Sequence, residues 1–548
     1  MSWLDFRDIP MTIGNLSNLY IDFLTDYQNV KQYYAGDFRN PEDWKAVFDM
    51  VGRKNRNRST LFRVLIEQNK NFHCSVKTLA NIDLLHNDNT FAVVTGQQVG
   101  ILGGPLYTVY KILTALKLTE ILKDRYTEYN FVPVFWLESE DHDFEEMNSV
   151  TVINQDNSPV RLSYLIGGKP LEKNPGPVGS IRFDEHLQEL FTSLDAALLT
   201  TEFKPKLLET LHHSYHLGAT FTQSFVSWIN KLFEDSGLVF CDINDREFKQ
   251  LLTPVFLHEC EHRSEISQRI ITLSAELEQR YHAQVKPKAI NLFMFHKGGR
   301  YLIEPREQEE DFSLKGTRHY LSSAELALAI QSTPELFSPN VILRPICQDT
   351  ILPTAVYIGG PGEISYFAQL KPIYELFNVP MPIIYPRASI TILEERLEKI
   401  IQKHQLEVTD FFGDIDLLIR RISDQISEVK VDTVFSASQQ RIIEVLTELQ
   451  FGLTQIDPTL LGALEHTKQK ISSTLDQLKN RASTAQQKKN EITLNQIEKV
   501  ARHLLPNGNF QEREISIVYF INKYGMEFTR WLMDEVKIDR FEHQILHL

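Results

Sequence analysis

The sequence predicts an α/β fold, a largely parallel sheet covered by helices on both faces and interrupted by insertions, followed by a C-terminal α-helical coiled-coil domain. Three observations lead there. Phe131-Val132-Pro133-Val134-Phe135-Trp136-Leu137 is an apolar run without polar alternation, as a strand buried on both faces requires. Residues 91–122 pass from the apolar run Phe91-Ala92-Val93-Val94 through a glycine-rich turn into helical apolar spacing, a strand, a loop and a helix in succession. From about residue 388 to 505 the composition changes to long polar helices.

Between these landmarks, residues 151–235 are mixed, with turn signals at Asn174-Pro175-Gly176-Pro177, and read as a connecting insertion. Leu238-Val239-Phe240, Ala355-Val356-Tyr357-Ile358 and Pro382-Ile383-Ile384-Tyr385 are short apolar runs near helical segments, further strands of the same sheet. In the helical region Ile442, Leu446, Leu449, Leu453, Ile456 and Leu460 step by four and three and mark an apolar seam. Asp457-Pro458 is a helix start, an acidic N-cap before proline at the first helical position. Two helices folded against each other are therefore predicted, the second running through Leu464, Thr467, Ile471, Leu475 and Leu478. A seam specifies packing and not which chain supplies the partner, so a hairpin within one chain and self-association are both open.

Composition narrows the function. With 548 residues, 42% of them hydrophobic, the chain can bury a large core in more than one folding unit. A formal charge of −15 and the lack of a Lys/Arg-rich run exclude an electrostatic nucleic-acid binder, and Arg53-Lys54-Asn55-Arg56-Asn57-Arg58 is a short solvated cluster. The first residues lack the basic and apolar regions of a signal peptide, and no apolar stretch reaches about 18 residues, so a cytoplasmic protein without membrane contact is expected. Cys74, Cys241, Cys260 and Cys347 are widely spaced and read as reduced, buried thiols.

Three segments can carry chemistry. In Thr95-Gly96-Gln97-Gln98 through Gly103-Gly104-Pro105-Leu106-Tyr107 to Lys111, four glycines between a strand and a helix let backbone amides approach a ligand, and a helix start is a natural anion site. An anion cradle and a tight structural turn are both consistent with that pattern. Trp136 to Asn148 places Glu138, Glu140, Asp141, His142 and Asp143 at the carboxyl end of a buried strand, where open α/β sheets bind ligands. Those carboxylates can hold an ammonium, ligate a divalent ion or act as a base, or they can be a solvated acidic loop. The third segment runs from Leu343-Arg344-Pro345 to Gly359-Gly360-Pro361-Gly362-Glu363-Ile364-Ser365-Tyr366, another strand, glycine turn and helix. Arg344, and Arg387 after the last strand, are candidates for bidentate carboxylate or phosphate binding, or for structural ion pairs. His258-Glu259-Cys260-Glu261-His262 also satisfies the zinc-protease pattern on a helix, although the sequence offers no evident third ligand.

Thr95–Gln98 with Gly103–Tyr107, Pro133–Trp136 with Glu140–Asp143, and then Asn340–Pro345, Gly359–Glu363 and Leu505–Arg513 resemble, in that order, the hallmark segments of the BshC family of cysteine ligases in bacillithiol biosynthesis. The match spans almost the full chain. The resemblance implies a Rossmann-like nucleotidyltransferase-type core with connecting insertions and a helical coiled-coil domain that pairs two subunits as a homodimer. The domains expected are 1–150, the first half of the core with an N-terminal segment; 151–235, a connecting insertion; 236–387, the second half with an insertion; 388–505, the coiled coil; and 506–548, a segment packing back on the core.

The activity implied is amide formation between the cysteine carboxyl and the amine of glucosaminyl-malate. Such a reaction needs an activated carboxyl, so ATP with Mg2+ is the expected activator. The nucleotide or another anion is expected at Thr95, Gly96, Gln97, Gln98, Gly103, Gly104, Tyr107 and Lys111, with the amines and catalysis at Glu138, Asp141, His142 and Asp143. Trp136, Glu140, Arg344, Gly359, Gly360, Glu363, Tyr366 and Arg387 are expected to hold substrates, with Arg344 or Arg387 on malate or phosphate. No metal ligands are assigned and the need for zinc is left open, because clustered Cys and His ligands are missing from these segments. Two other readings compete: a nucleotide-binding scaffold or sensor that dimerises through the coiled coil, and a zinc metalloprotease built on His258 and His262.

Overall fold

Five parallel strands form the centre of the computed structural model: β1 (Thr90–Gln98), β2 (Asn130–Glu138), β3 (Val239–Asp242), β4 (Thr354–Gly359) and β5 (Ile383–Pro386). They lie in the order β5-β4-β1-β2-β3, every neighbouring pair parallel. Numbered along the chain this is 3-2-1-4-5, the doubly wound order, and the winding reverses between β1 and β4 to open a crevice beyond their carboxyl ends. The structure describes residues 1–14, 16–171, 174–306, 311–426, 431–489 and 491–548. They fall into two compact units, Met1–Ile392 with Pro506–His547, and Leu393–Leu505 with Leu548.

All five strands are the apolar runs expected from the sequence. β1 and β2 pair over nine residues, which sets Gly96 beside Trp136 and Gln98 beside Glu138. Gly96 has a steric cause: a Cβ there would come 2.9 Å from the Trp136 carbonyl oxygen. From β1 the chain turns through Gly103, whose φ of 87° is open to glycine, into α1 (Leu106–Arg125), a helix buried on most of its surface. Further on, α2 (Arg246–Glu261), α3 (Arg344–Ile351) and α4 (Pro361–Phe367) flank the sheet, the last following β4 directly.

Two insertions interrupt the core. The first contains the hairpin Ser149–Ile153 with Pro159–Ser163 and the helices Leu187–Ala197, Lys204–Ser214 and Phe221–Leu232. The second holds an antiparallel sheet with Leu292–His296 and Gly299–Pro305 at its centre. This sheet was not among the expected elements. Its strands are short and only partly buried, so they lack the continuous apolar run that marks a two-sided strand.

In the second unit α5 (Val431–Ile456) and α6 (Leu461–Lys489) form an antiparallel hairpin, tied across by Asp432 with Lys479 and by Gln439 with Asp476. The break falls at Asp457, whose carboxylate accepts the Thr459 amide. Leu446 and Leu464 are buried in the seam, but Leu449, Ile456, Leu460 and Leu478 are exposed. The seam within one chain is therefore narrower than the sequence spacing implied, because a two-helix hairpin covers only one side of each helix.

Candidate active site

At the carboxyl ends of β1, β2 and β4 the crevice widens into a cleft of about 790 Å3. Of the residues expected to form a site, Gly96, Gln97, Gln98, Tyr107, Lys111, Trp136, Glu138, Glu140, Asp141, His142, Arg344, Gly360, Glu363, Tyr366 and Arg387 line it. Thr95, Gly103, Gly104, Asp143 and Gly359 do not. The Thr95 hydroxyl donates to the Ile358 carbonyl and ties β1 to β4, while the Gly359 carbonyl accepts the Arg387 amide. Asp143 caps the short helix Phe144–Met147 through the Glu146 amide.

The glycine loop is a turn whose amides are already committed. Gly103 N–H donates to the Gly100 carbonyl, Gly104 to Ile101, and Leu106, the first residue of α1, to Ile515. Gly103 also packs against the Trp228 ring, which a Cβ would approach to 3.0 Å. Its glycines thus serve close packing, which composition alone does not distinguish from an open cradle. Lys111 is equally engaged: its ammonium donates to the Gly96 carbonyl (2.8 Å) and Gln97 Oε1 (3.0 Å) and pairs with Glu363 (2.5 Å), which fills its three donors. Burial pushes the Glu363 carboxyl up, but Lys111, the Gly360 amide and the Tyr357 hydroxyl outweigh it and hold the group below its usual range.

The opposite wall is acidic, and its carboxylates are set apart by their surroundings. Glu138, at the last position of β2, is a quarter exposed to the cleft and pairs with Arg344 at 3.1 Å. Burial nonetheless raises its pKa to about 7, reinforced by the negative charge of Asp141 and Glu140 against the pull of Arg344 and Arg300. Asp141 goes the other way. Burial raises it, but bonds from His142 and Gln98 and the charge of Arg300 hold it well below the usual range. Gln98 bridges Asp141 (2.7 Å) to Glu146 (2.8 Å). Glu140 pairs with Lys249 at 2.5 Å, and both side chains are buried. The indole N–H of Trp136, also buried, has no hydrogen-bond partner among the described residues.

The two expected arginines line the cleft with their charges engaged. Arg344 donates to Gln348 (3.0 Å) and to the Tyr366 hydroxyl (2.9 Å) in addition to its pair with Glu138. Arg387 donates to Glu512 (2.7 Å) and to the Ala388 carbonyl (2.9 Å). Both therefore make ion pairs within the protein, the second alternative open at the sequence level.

Sequence reasoning missed Arg300, Lys249, Lys286, Lys288 and Arg513, and gave Glu146 no role of its own within the acidic segment. Arg300 reaches the cleft from Gly299–Pro305, with its guanidinium 4.0 Å from the Phe293 ring and 3.2 Å from His142 Nδ1. No motif surrounds it, and only the fold brings it to Asp141. Arg513 lay within a segment matched by resemblance and given no role.

The zinc-protease pattern does not form a metal site. His258 and His262 stack at 4.3 Å, but Glu259 turns inward and accepts the Asn291 backbone and side-chain amides at 2.7 and 2.9 Å. Among the described residues no group of three or more His, Cys, Asp or Glu side chains is placed to hold a metal. Of the four thiols Cys241 and Cys347 are buried, whereas Cys74 and Cys260 are partly exposed, against the expectation that all four lie inside.

A doubly wound core with a cleft at its switch point, followed by a helical hairpin unit, defines a Rossmann-like enzyme with an appended coiled coil. The family model for the bacillithiol biosynthesis BshC N-terminal Rossmann-like domain matches residues 4–388, and that for the BshC C-terminal coiled-coil domain matches 390–548. Proteins named "Putative cysteine ligase BshC" are similar over nearly their whole length. The one from Salinibacter ruber is 36% identical, covering 98% of both chains, and that from Chloroherpeton thalassium is 36% identical over 99% of both. The protein of that name from Chlorobaculum tepidum is 33% identical over 95% of both. The chain belongs to the BshC family of bacillithiol biosynthesis, and with it to a family of ligases.

Proposed function

We propose that this chain joins the carboxyl of cysteine to the glucosamine amine of glucosaminyl-malate, drawing on ATP and Mg2+, with Glu138 as the base that prepares the amine. The observation that carries the reading is the Glu138 carboxyl, raised to about 7 at the end of β2 and open to the cleft, beside an Asp141 that stays charged. An amine acceptor arrives largely as ammonium and must lose a proton before it attacks, and a base is most effective with a pKa near the working pH. Glu138 takes that proton; the amine nitrogen forms a bond to the cysteine carboxyl carbon; the bond from that carbon to its leaving oxygen breaks, and the leaving group departs with the electron pair. ATP would supply that leaving group: a carboxylate oxygen of cysteine bonds to a phosphorus of ATP as a phosphoanhydride P–O bond breaks, and the proton that the nitrogen sheds on forming the amide leaves with the departing phosphate. Cations without carboxylate partners at the cleft suit its polyphosphate, whereas the committed amides of the glycine loop do not. Asp141 holds an ammonium by charge, and the unpartnered indole N–H of Trp136 offers a donor to a substrate oxygen.

The exposed apolar residues of the hairpin, among them Val434, Leu449, Phe451 and Ile456, support a homodimer formed through the second unit. Among the described residues no helix is long and apolar enough to cross a membrane, and with a biosynthetic family this supports a cytoplasmic enzyme. The test is mass-spectrometric detection of bacillithiol after incubating the purified protein with cysteine, glucosaminyl-malate, ATP and Mg2+, with ATP omitted in parallel. ATP-dependent product is expected. Absence of product from folded protein in both reactions overturns the proposal.

A further inference from the structure

The charges of the cleft divide into two sets. Lys111, Arg344 and Arg387 are buried, and each is paired with a carboxylate: Glu363, Glu138 and Glu512; behind the wall, Lys249 is buried on Glu140. Arg300 is buried as well and stands 3.5 Å from Asp141. Three further cations line the same cleft, Lys286, Lys288 and Arg513, and among the described residues none has a carboxylate within 4 Å.

Their backbones are fixed, although their heads make no ion pair within 4 Å among the described residues. Lys286 follows Val285, whose N–H and C=O are both bonded at 2.9 Å by the side chain of buried Gln369, itself tied to Ser274 Oγ at 2.9 Å. Pro287 stiffens the next step, and the Lys288 carbonyl accepts the Ser267 hydroxyl at 2.8 Å. Arg513 follows Glu512, which is buried on Arg387, and its guanidinium lies 5.9 Å from the centre of the Tyr107 ring. A buried amide side chain that clamps a backbone at a cleft carrying two exposed lysines is costly to arrange for a solvated loop, and it pre-orders the segment for an anion.

We propose that Lys286, Lys288 and Arg513 form the anion subsite of this cleft, taking the carboxylate or phosphate oxygens of a substrate, a role that Arg344 and Arg387 are too committed to fill. This rests on the cleft being the ligand site of the ligase reading, and it identifies which residues meet the substrate's charge. Carboxylate and phosphate share that chemistry, so the test has two arms.

Calorimetric titration of the full-length protein with L-malate and, separately, with pyrophosphate reads binding without turnover. The double variant K286M/K288M and the single variant R513M are each expected to weaken at least one of the two anions by about tenfold or more, a difference of about 1.4 kcal/mol. K206M, at an exposed position of the helix Lys204–Ser214 and outside the cleft, leaves both unchanged. Loss for malate alone assigns the subsite to a carboxylate, loss for pyrophosphate alone to a phosphate, and loss for both to a shared site; R513K, retaining the charge, should keep part of the affinity. Unchanged binding in both variants, or no binding of either anion by the parent protein, overturns the proposal. Because no product is measured, a chain that fails to make the amide but loses anion affinity in these variants would refute the ligase reading and leave the subsite standing.

Discussion

Arg344 sets its Nε 3.1 Å from the Glu138 carboxylate, and Glu138 still titrates near 7. Burial of the carboxyl, with Asp141 and Glu140 close by, outweighs an adjacent guanidinium. The carboxyl is thus held charged by Arg344 and pulled toward neutrality by its surroundings.

The proposed role of Glu138 as base is tested by a substitution that keeps its shape and removes its charge. Glu138→Gln should lower amide formation by about a hundredfold or more, the usual range for a lost general base, with the circular dichroism unchanged. In the parent protein the rate should climb as pH rises through about 7, since only ionised Glu138 accepts a proton, and that limb should vanish in the variant. Activity within threefold of the parent, with the limb intact, would assign the base elsewhere.

Removing the arginine should move the same limb in a known direction. Without its cation the Glu138 carboxylate is harder to ionise, so Arg344→Met should shift the rise in rate toward higher pH by about one unit or more. A pH–rate profile of the variant in excess substrate checks this; an unmoved limb would mean that the limb does not report Glu138.

Lys111 separates a structural role from a ligand role. Its ammonium is engaged by Gly96, Gln97 and Glu363, so Lys111→Met leaves a partly exposed carboxylate with only Tyr357 and Gly360 as donors and should cost about 1–3 kcal/mol of stability in urea denaturation. Activity per folded molecule should fall only as far as the cleft geometry is disturbed. A variant of parental stability that had lost ATP affinity would restore Lys111 as a phosphate ligand.

What the sequence disclosed, and what it did not, follows from the range of the signals. Two-sided strands such as β2 are continuous apolar runs, and the turn after β1 passes through Gly103 at a φ that favours glycine, so both are visible locally. The acidic stretch after β2 was legible for the same reason, because a strand end in an open sheet is where ligands bind. Arg300 and Lys249 were not, since their partners lie 159 and 109 positions earlier in the chain, at Asp141 and Glu140, and no local pattern marks such a contact. Nor does a run of glycines show where its amides point: the loop at Gly103 and Gly104 donates inward, to carbonyls that the fold brings round to it.

The C-terminal segment supplies a pH test of its own. His543 is fully buried, with Nδ1 2.8 Å from Ser389 Oγ and Nε2 2.9 Å from Thr391 Oγ1. Ser389 donates its one hydroxyl proton to Glu512 (3.0 Å), so it accepts from Nδ1–H, and Nε2 accepts from Thr391; the ring is satisfied while neutral. Burial lowers its pKa to about 4, with Glu512 opposing. Above the ordinary value of 6.5 neither folded nor unfolded chain protonates this ring, and its neutral form contributes fully to stability. As pH falls from 6.5 toward 4 the unfolded chain takes up a proton that the folded ring refuses, and that stability is lost. Between pH 7 and pH 5 the loss from this one group should be about 2 kcal/mol. His543→Asn removes the titration, so its stability should fall by that much less over the same interval in urea denaturation of the two proteins side by side. Parallel pH dependences would show that His543 is charged in the folded protein or that the segment opens before the core.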